Sequence, residues 1–282
     1  ADKIGALISP NVTTETAYLA QRLMRAFGSD HVDHRLRVAD FSMPELQEPG
    51  RWPVLPVADF AQVSALLLVG SNIREEQPVL ASKLLQASID DAVIMAINSV
   101  DYSFNFPIEH ASTSADIVND FAAVVKSVAL LKGESLPALD DIVATDISQK
   151  IARSLLDADY PAVALGAEAL SHPRASLIRA LLDQLIHILD VRVAILTPGA
   201  NSVGAYIAGA VPHASPQGNV KSSGYTTAQM LVDHPLRAYM LIDVELEKDS
   251  VYQAEALAAL NQAGLVVCIN AYMTDTMRQY AD

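Results

Sequence analysis

The sequence predicts an α/β protein of two doubly wound, Rossmann-like lobes, each built on a mostly parallel sheet. Three observations carry that expectation. Short apolar runs of strand length alternate with longer amphipathic segments along the chain, the pattern of parallel strands covered by helices. Hydrophobic residues make up 51% of the 282 positions and aromatics only 6%, which favours sheets of Val, Ile, Leu and Ala buried on both faces. One strand–turn–helix–strand pattern also occurs twice, at an offset of 173 residues. Ala65-Leu66-Leu67-Leu68-Val69 lies over Ala238-Tyr239-Met240-Leu241-Ile242, Ala81 over Ala254 and Leu84 over Leu257; one residue out of step, Ala96-Ile97-Asn98 lies over Cys268-Ile269-Asn270.

In chain order, residues 4–8 read as a buried strand and Ser9-Pro10-Asn11 as its turn. A helix should follow from Thr13, whose hydroxyl suits an N-cap, to Phe27. Ala20, Leu23, Met24 and Phe27 fall at helical spacing, and Gly28 occupies the C′ position. Pro44, Pro49, Pro53 and Pro56 around Trp52 make 44–56 a loop. Residues 65–69 form the next strand, Gly70-Ser71-Asn72 its turn, 78–87 a helix, 92–97 a strand and 116–131 a helix. Lys132-Gly133, Pro137 and several acids mark 132–146 as a linker, so the lobes are expected at 1–140 and 141–282. The second lobe reads as helix 147–157, strand 162–166, helix 174–189, strand 191–196, a loop rich in Pro, Gly, Ser and Asn at 212–224, strand 238–242, helix 251–262 and strand 265–269.

Composition excludes several functions. A net charge of −14 opposes binding to nucleic-acid backbones or anionic membrane surfaces. The single cysteine, Cys268, lies in a strand expected to be buried; it forms no disulfide and cannot hold an iron–sulfur cluster, which takes four thiolates. No apolar run approaches the ~20 residues of a membrane-spanning helix, and the most apolar stretch, 121–131, is broken by Lys126. The chain opens Ala1-Asp2-Lys3, without Met or a leader, and enters a strand at once. It is expected to be a piece of a longer polypeptide.

Strong chemical signatures are missing from the sequence: there is no G-x-G-x-x-G, Walker A, H-E-x-x-H, G-x-S-x-G or C-x-x-C. The stretch from Thr197 through Gly199, Ala200, Asn201 and Gly204 to Ala205 follows a strand with small residues but lacks the Lys of a P-loop, so a tight turn is expected. His31, Asp33 and His34 have no metal-ligand spacing and are expected on a solvated surface; His187 is expected on a helix surface. Gly70-Ser71-Asn72 is more informative, because it ends a buried strand where open α/β sheets place ligands. Its repeat counterpart is Asp243-Val244-Glu245. Glycine lets a backbone approach a pyrophosphate, whereas a like charge at ~4 Å costs about 4 kcal/mol at the effective dielectric near a protein surface, roughly three decades of affinity. No residue is therefore assigned a catalytic, cofactor-binding or metal-binding role.

Two stretches are specific enough to carry a family resemblance. Val32-Asp33-His34-Arg35-Leu36-Arg37-Val38-Ala39-Asp40-Phe41 and Leu67-Leu68-Val69-Gly70-Ser71-Asn72-Ile73-Arg74-Glu75-Glu76-Gln77-Pro78-Val79 resemble the large peripheral-arm subunit of bacterial NADH-quinone oxidoreductase, respiratory complex I. The second stretch is similar to that subunit's version of the G-x-N-P loop of molybdopterin oxidoreductases. Residues 5–10, 15–28, 199–205, 227–230 and 270–282 continue the likeness nearly end to end. The resemblance implies the molybdopterin oxidoreductase fold and membership of an NADH dehydrogenase of the respiratory chain. It implies a cofactor-less structural module that supports electron transfer from NADH to quinone, with the iron–sulfur clusters in an N-terminal part outside this chain. It further implies the other peripheral-arm subunits as partners, a cytoplasmic position at the inner face of the cell membrane without insertion, and a homodimer of the truncated piece. Ile73 stands where G-x-N-P has Pro, Asp243-Val244-Glu245-Leu246 replaces a second such loop, and Asn270 stands where D-x-F-x-T-E-T has its Asp. Tyr272, Thr274, Asp275 and Thr276 keep only that motif's outline. Two other readings remain open: an oxidoreductase domain binding molybdopterin guanine dinucleotide, and a stand-alone small-molecule-binding protein.

Overall fold

Every strand expected from an apolar run forms, and each lies parallel to its sheet neighbours. The structure, a computed structural model, describes residues 3–216, 218–219 and 224–282. Residues 217 and 220–223 of the expected 212–224 loop, like Ala1 and Asp2, lie outside the described residues. The elements are β1 (Ile4–Ile8), α1 (Thr14–Ala26), β2 (Val32–Asp33), β3 (Ala65–Val69), α2 (Ile73–Glu76), α3 (Pro78–Ile89), β4 (Val93–Asn98), β5 (His110–Thr113), α4 (Ile117–Lys132), α5 (Asp146–Leu156), β6 (Pro161–Leu165), α6 (Ala167–Ser171), α7 (Ala175–Ile188) and β7 (Arg192–Ile195). They continue with α8 (Ser202–Ile207), β8 (Ala214–Ser215), β9 (Gly218–Asn219), β10 (Ala238–Ile242), α9 (Leu246–Asp249), α10 (Gln253–Gln262), β11 (Leu265–Ile269) and α11 (Met277–Tyr280).

The expected division at 140/141 is corrected. One compact unit joins Ala1–Phe41 to Pro198–Asp282, and the other is Ser42–Thr197. The stretch 132–146 is no linker, because Leu136, Leu139 and Ile142 pack against the same core as α4 and α5. Lys126 Nζ also donates to the carbonyl oxygens of Asp140 and Ile142 there. Gly133 ends a helix, as its chemistry promised, but a helix end is not a domain end.

The continuous unit holds a five-stranded sheet in the order β5-β4-β3-β6-β7. Its central strand β3 is buried on both faces: Leu67 and Val69 enter one core with Phe121, Val125, Ile151 and Leu185, while Leu66 and Leu68 enter another with Phe60, Leu84 and Ile94. Such two-sided burial is what writes an unbroken apolar run into the sequence. A fully buried Phe or Leu side chain contributes on the order of 2–3 kcal/mol. Side-chain caps set the helix starts on the first face: Asp116 accepts from Asn119 N–H at 3.1 Å for α4, and Thr145 with Ser148 closes a capping box on α5. The proline loop runs beside the outer edge of β7, where Val193 N–H donates to Pro53 O and Leu55 N–H to Val193 O, both at 2.8 Å. That shields one sheet edge.

The discontinuous unit has the order β11-β10-β1-β2. Leu7, Tyr239, Leu241 and Val266 face a core closed by α10 and α11, and Ala6, Ile8 and Ile242 face one closed by α1 and α8. Tyr239 is wholly buried because its hydroxyl is satisfied, accepting from Leu236 N–H at 2.7 Å and donating to Met230 O at 2.8 Å. β8 and β9 pair antiparallel as a small ribbon.

Candidate functional site

Each unit has a point where the strand order reverses, and open α/β sheets bind ligands in the crevice beyond the strand ends there. In the continuous unit this lies between β3 and β6. Gly70 takes a left-handed φ of +58°. Its N–H donates to Ile97 O at 2.8 Å, and its own carbonyl accepts from Glu168 N–H at 3.0 Å. Ser71 N–H donates to Asn98 Oδ1 at 2.8 Å and Gly166 N–H to Val69 O at 2.9 Å. Ser99 N–H reaches Glu168 Oε2 at 3.5 Å. A Cβ added to Gly166 would lie 2.3 Å from Ser71 Cβ, so the two loops already touch. Ser71 Oγ is buried between them without a hydrogen-bond partner.

In the discontinuous unit the reversal lies between β1 and β10, and it is filled in the same way. Ser9 N–H donates to Ile242 O at 2.9 Å and Asn11 N–H to Ser9 Oγ at 3.2 Å. The expected 197–205 turn folds its middle onto this loop: Ala200 N–H donates to Asn11 Oδ1 at 2.9 Å, and Asn201 N–H to Pro10 O at 2.9 Å. A Cβ on Gly199 would stand 2.4 Å from Pro10 Cβ. Asp243 N–H is taken by Ile269 O at 2.9 Å and Glu245 N–H by Asp249 Oδ2 at 2.8 Å.

The internal repeat is therefore geometric as well as sequential. Gly70 and Asp243 share a left-handed backbone, +58° and +54°, and both donate to an Ile carbonyl on the next strand. A one-turn helix follows each and ends on an acid, Glu76 in one and Asp249 in the other, and Asp249 accepts from Glu245 N–H. Asn98 is the last residue of β4 and Asn270 the first after β11, and both bond back to those loops: Asn98 Oδ1 accepts from Ser71 N–H and Asn270 Nδ2 donates to Val244 O.

The remaining candidates do not converge. Asp33 and His34 are buried, which corrects their expected surface position. Asp33 accepts from Arg35 Nε at 2.8 Å and from Thr227 N–H at 3.0 Å. Burial alone would raise its carboxyl, but Arg35, His34 and Thr227 N–H together hold it below the usual range. Burial lowers the His34 imidazole, whose Nδ1 donates to Ala210 O at 2.8 Å. His31 stacks on Tyr225 with ring centres 4.3 Å apart, and its Nδ1 accepts from Tyr225 N–H. Asp33 ends β2, where dinucleotide folds present an acid to ribose, yet its oxygens face Arg35 and Thr227. His187 is exposed on α7, with Nδ1 donating to Asp183 O. Cys268 is half-buried on the edge strand β11, not deep in a sheet as expected, because its neighbours Leu265, Val267 and Ile269 are 46%, 37% and 54% exposed. Burial raises its thiol. Among the described residues no three His, Cys, Asp or Glu side chains gather as a metal site, and no helix is long and apolar enough to cross a membrane.

The sequence profile of the molybdopterin oxidoreductase family matches residues 1–282. No curated protein sequence matches significantly. A chain of the formyltransferase/hydrolase complex of Methylorubrum extorquens, solved with methylofuran, is similar at 12% identity over 100% of this chain and 78% of that one, with a TM-score of 0.69. Acetylene hydratase from Pelobacter acetylenicus is similar at 13% identity over 99% of this chain and 48% of that one, with a TM-score of 0.66. This chain thus spans about half of the hydratase, and at such identities the likeness speaks for fold alone. A pterin nucleotide would need N–H donors or cations for its phosphates. The loop N–H groups named above are engaged internally, and 70–72 and 243–245 carry no Lys or Arg. The residues at these two switch points do not fit such a group.

Proposed function

Because the chain belongs to the molybdopterin oxidoreductase family, we propose that it keeps that family's fold as a scaffold and holds no pterin, serving as a structural module in the electron-input subunit of NADH-quinone oxidoreductase. The observation that carries this reading is that the backbone N–H groups of Gly70, Ser71 and Gly166 at one strand-order reversal, and of Ser9, Ala200 and Asn201 at the other, are taken by the chain's own acceptors. Displacing any of them for a phosphate exchanges one hydrogen bond for another and returns little net free energy. The likeness of residues 32–41 and 67–79 to the complex I subunit supports the finer assignment. In that role the module contributes to an oxidoreductase without performing chemistry. Its partners are the neighbouring peripheral-arm subunits, which hold it at the cytoplasmic face of the membrane.

Calorimetry with GDP, GTP, NADH and a pterin nucleotide, at tens of micromolar protein from a cofactor-competent host, should show no binding. Iron and molybdenum should both fall far below one atom per chain. Micromolar binding strengthened by Asp243→Gly would move the pterin-binding oxidoreductase reading ahead. Micromolar binding of GDP, GTP or NADH without binding of the pterin nucleotide would leave a small-molecule-binding protein.

A further inference from the structure

The segment from Gly224 to His234 is a strap along a sheet edge. β2 is the last strand of its sheet, and 224–227 run in step beside residues 30–33. A Cβ on Gly224 would strike Asp30 O, Tyr225 N–H donates to His31 Nδ1 at 2.9 Å, and Thr227 N–H donates to Asp33 Oδ2 at 3.0 Å. Such cover blunts an edge that could otherwise pair with another chain. The strap ends in a turn, Gln229–Asp233, of π rather than α winding. His234 N–H donates to Gln229 O at 2.7 Å, five residues back, where an α turn would use Met230 O, four back. Met230 O is taken instead by the Tyr239 hydroxyl at 2.8 Å, which also accepts from Leu236 N–H at 2.7 Å. In the wider winding the backbone donor for Met230 O would be residue 235, and Pro235 has no N–H. A side chain inserted into the ladder of a helix is a known cause of local rewinding.

We propose that the Tyr239 hydroxyl is the pin of a two-register strap: by holding the Met230 carbonyl it keeps 229–233 in the π register, and that register parks His234 against the Tyr225 ring. The ring centres of Tyr225 and His234 lie 4.9 Å apart, and His31 stacks on the same Tyr225 at 4.3 Å. Stranded without the hydroxyl, Met230 O recaptures His234 N–H. The turn then rewinds by one residue, about 100° of a 3.6-residue helix, and His234 swings off the ring. The fold thus carries a device with two discrete registers, set from the buried core at Tyr239 and read out at the edge of the sheet. It works in the same way whether or not the protein holds a pterin.

The test is NMR of the perdeuterated whole chain, using scalar couplings that pass through hydrogen bonds and so name the acceptor of each amide. In the wild-type chain the His234 amide nitrogen should couple to the Gln229 carbonyl carbon. In Tyr239→Phe that coupling should move to the Met230 carbonyl carbon, and the proximity signals between His234 and the Tyr225 ring should vanish. Placing 3-fluorotyrosine at position 239 probes the same bond while keeping the phenol in the core. The more acidic hydroxyl donates more strongly, so the Met230 carbonyl carbon should shift while His234 stays coupled to Gln229. A wild-type coupling to Met230, a Gln229 coupling that survives Tyr239→Phe, or a Met230 carbon indifferent to the fluorine would each overturn the pin.

Discussion

Replacing Gly70 with Ala tests the claim that the two loops of the continuous unit are packed shut. The new Cβ would meet Ala169 N at 2.4 Å, Ala169 Cβ at 2.9 Å and Ala169 Cα at 3.0 Å, on a backbone held at φ +58°. A left-handed L-residue costs about 1–2 kcal/mol, and forcing an extra carbon into packed structure costs ~1–3 kcal/mol. The clash is mainly with helix backbone, which no rotamer change relieves. Ala restricts the unfolded chain and offsets roughly 0.4–1 kcal/mol of this, leaving a net loss of about 2–4 kcal/mol. The chain has one tryptophan, Trp52, whose Nε1 donates to Asp183 Oδ1 at 2.9 Å inside this unit. Urea unfolding followed by its fluorescence therefore reports the affected unit even if the two units unfold separately. Asp243→Gly, which lies in the discontinuous unit and is therefore read by circular dichroism, is the matched control: it relieves a strained Asp but frees the unfolded chain, so about 1 kcal/mol or less should change. A Gly70→Ala loss below about 1 kcal/mol would refute the close approach and reopen the crevice to a ligand.

Three further outcomes follow from buried polar groups. Asp33→Asn strips the buried Arg35 partner of its countercharge and should cost about 3–5 kcal/mol, read by circular dichroism melting; an apolar replacement of both residues should recover much of it. Stability should also fall with acid in two windows. His34 is held neutral below its ordinary 6.5, so its contribution is complete above 6.5 and declines as pH drops from there, while the Asp33 contribution is complete above 3.8 and lost below it. Urea midpoints measured from pH 8 to pH 3 should show both windows, and His34→Gln should flatten only the upper one. Tyr239→Phe leaves Leu236 N–H and Met230 O unpaired in the core and should cost about 1–3 kcal/mol in the same assay; a change near zero would mean that water replaces the hydroxyl.

What the sequence made legible was whatever burial writes locally. β3, β6 and β10 are continuous apolar runs because helices cover the sheet on both faces. β5, His-Ala-Ser-Thr on a half-exposed edge, and the two-residue β2 leave no such trace. Strand pairing is non-local: β1 takes β10 as its neighbour in register Ile4↔Ala238, and no residue near position 140 signals that return. Asp33 and His34 read as surface because their partners Thr227 and Ala210 lie 194 and 176 residues away.

The repeat offset, by contrast, pointed to the right loops for an incomplete reason. On sequence alone, Asp243 is decisive through its charge, at about 4 kcal/mol against a phosphate. The structure places Asp243 in solvent, where the dielectric approaches that of water and the same encounter costs only ~1 kcal/mol, less than tenfold in affinity. Charge alone would leave a weak site. The larger obstacle is the set of engaged N–H groups around Gly70, Gly166, Ser9 and Asn201. Removing acids at the rim should then change binding little, whereas freeing the Ser71 N–H by Asn98→Ala changes what a ligand would meet.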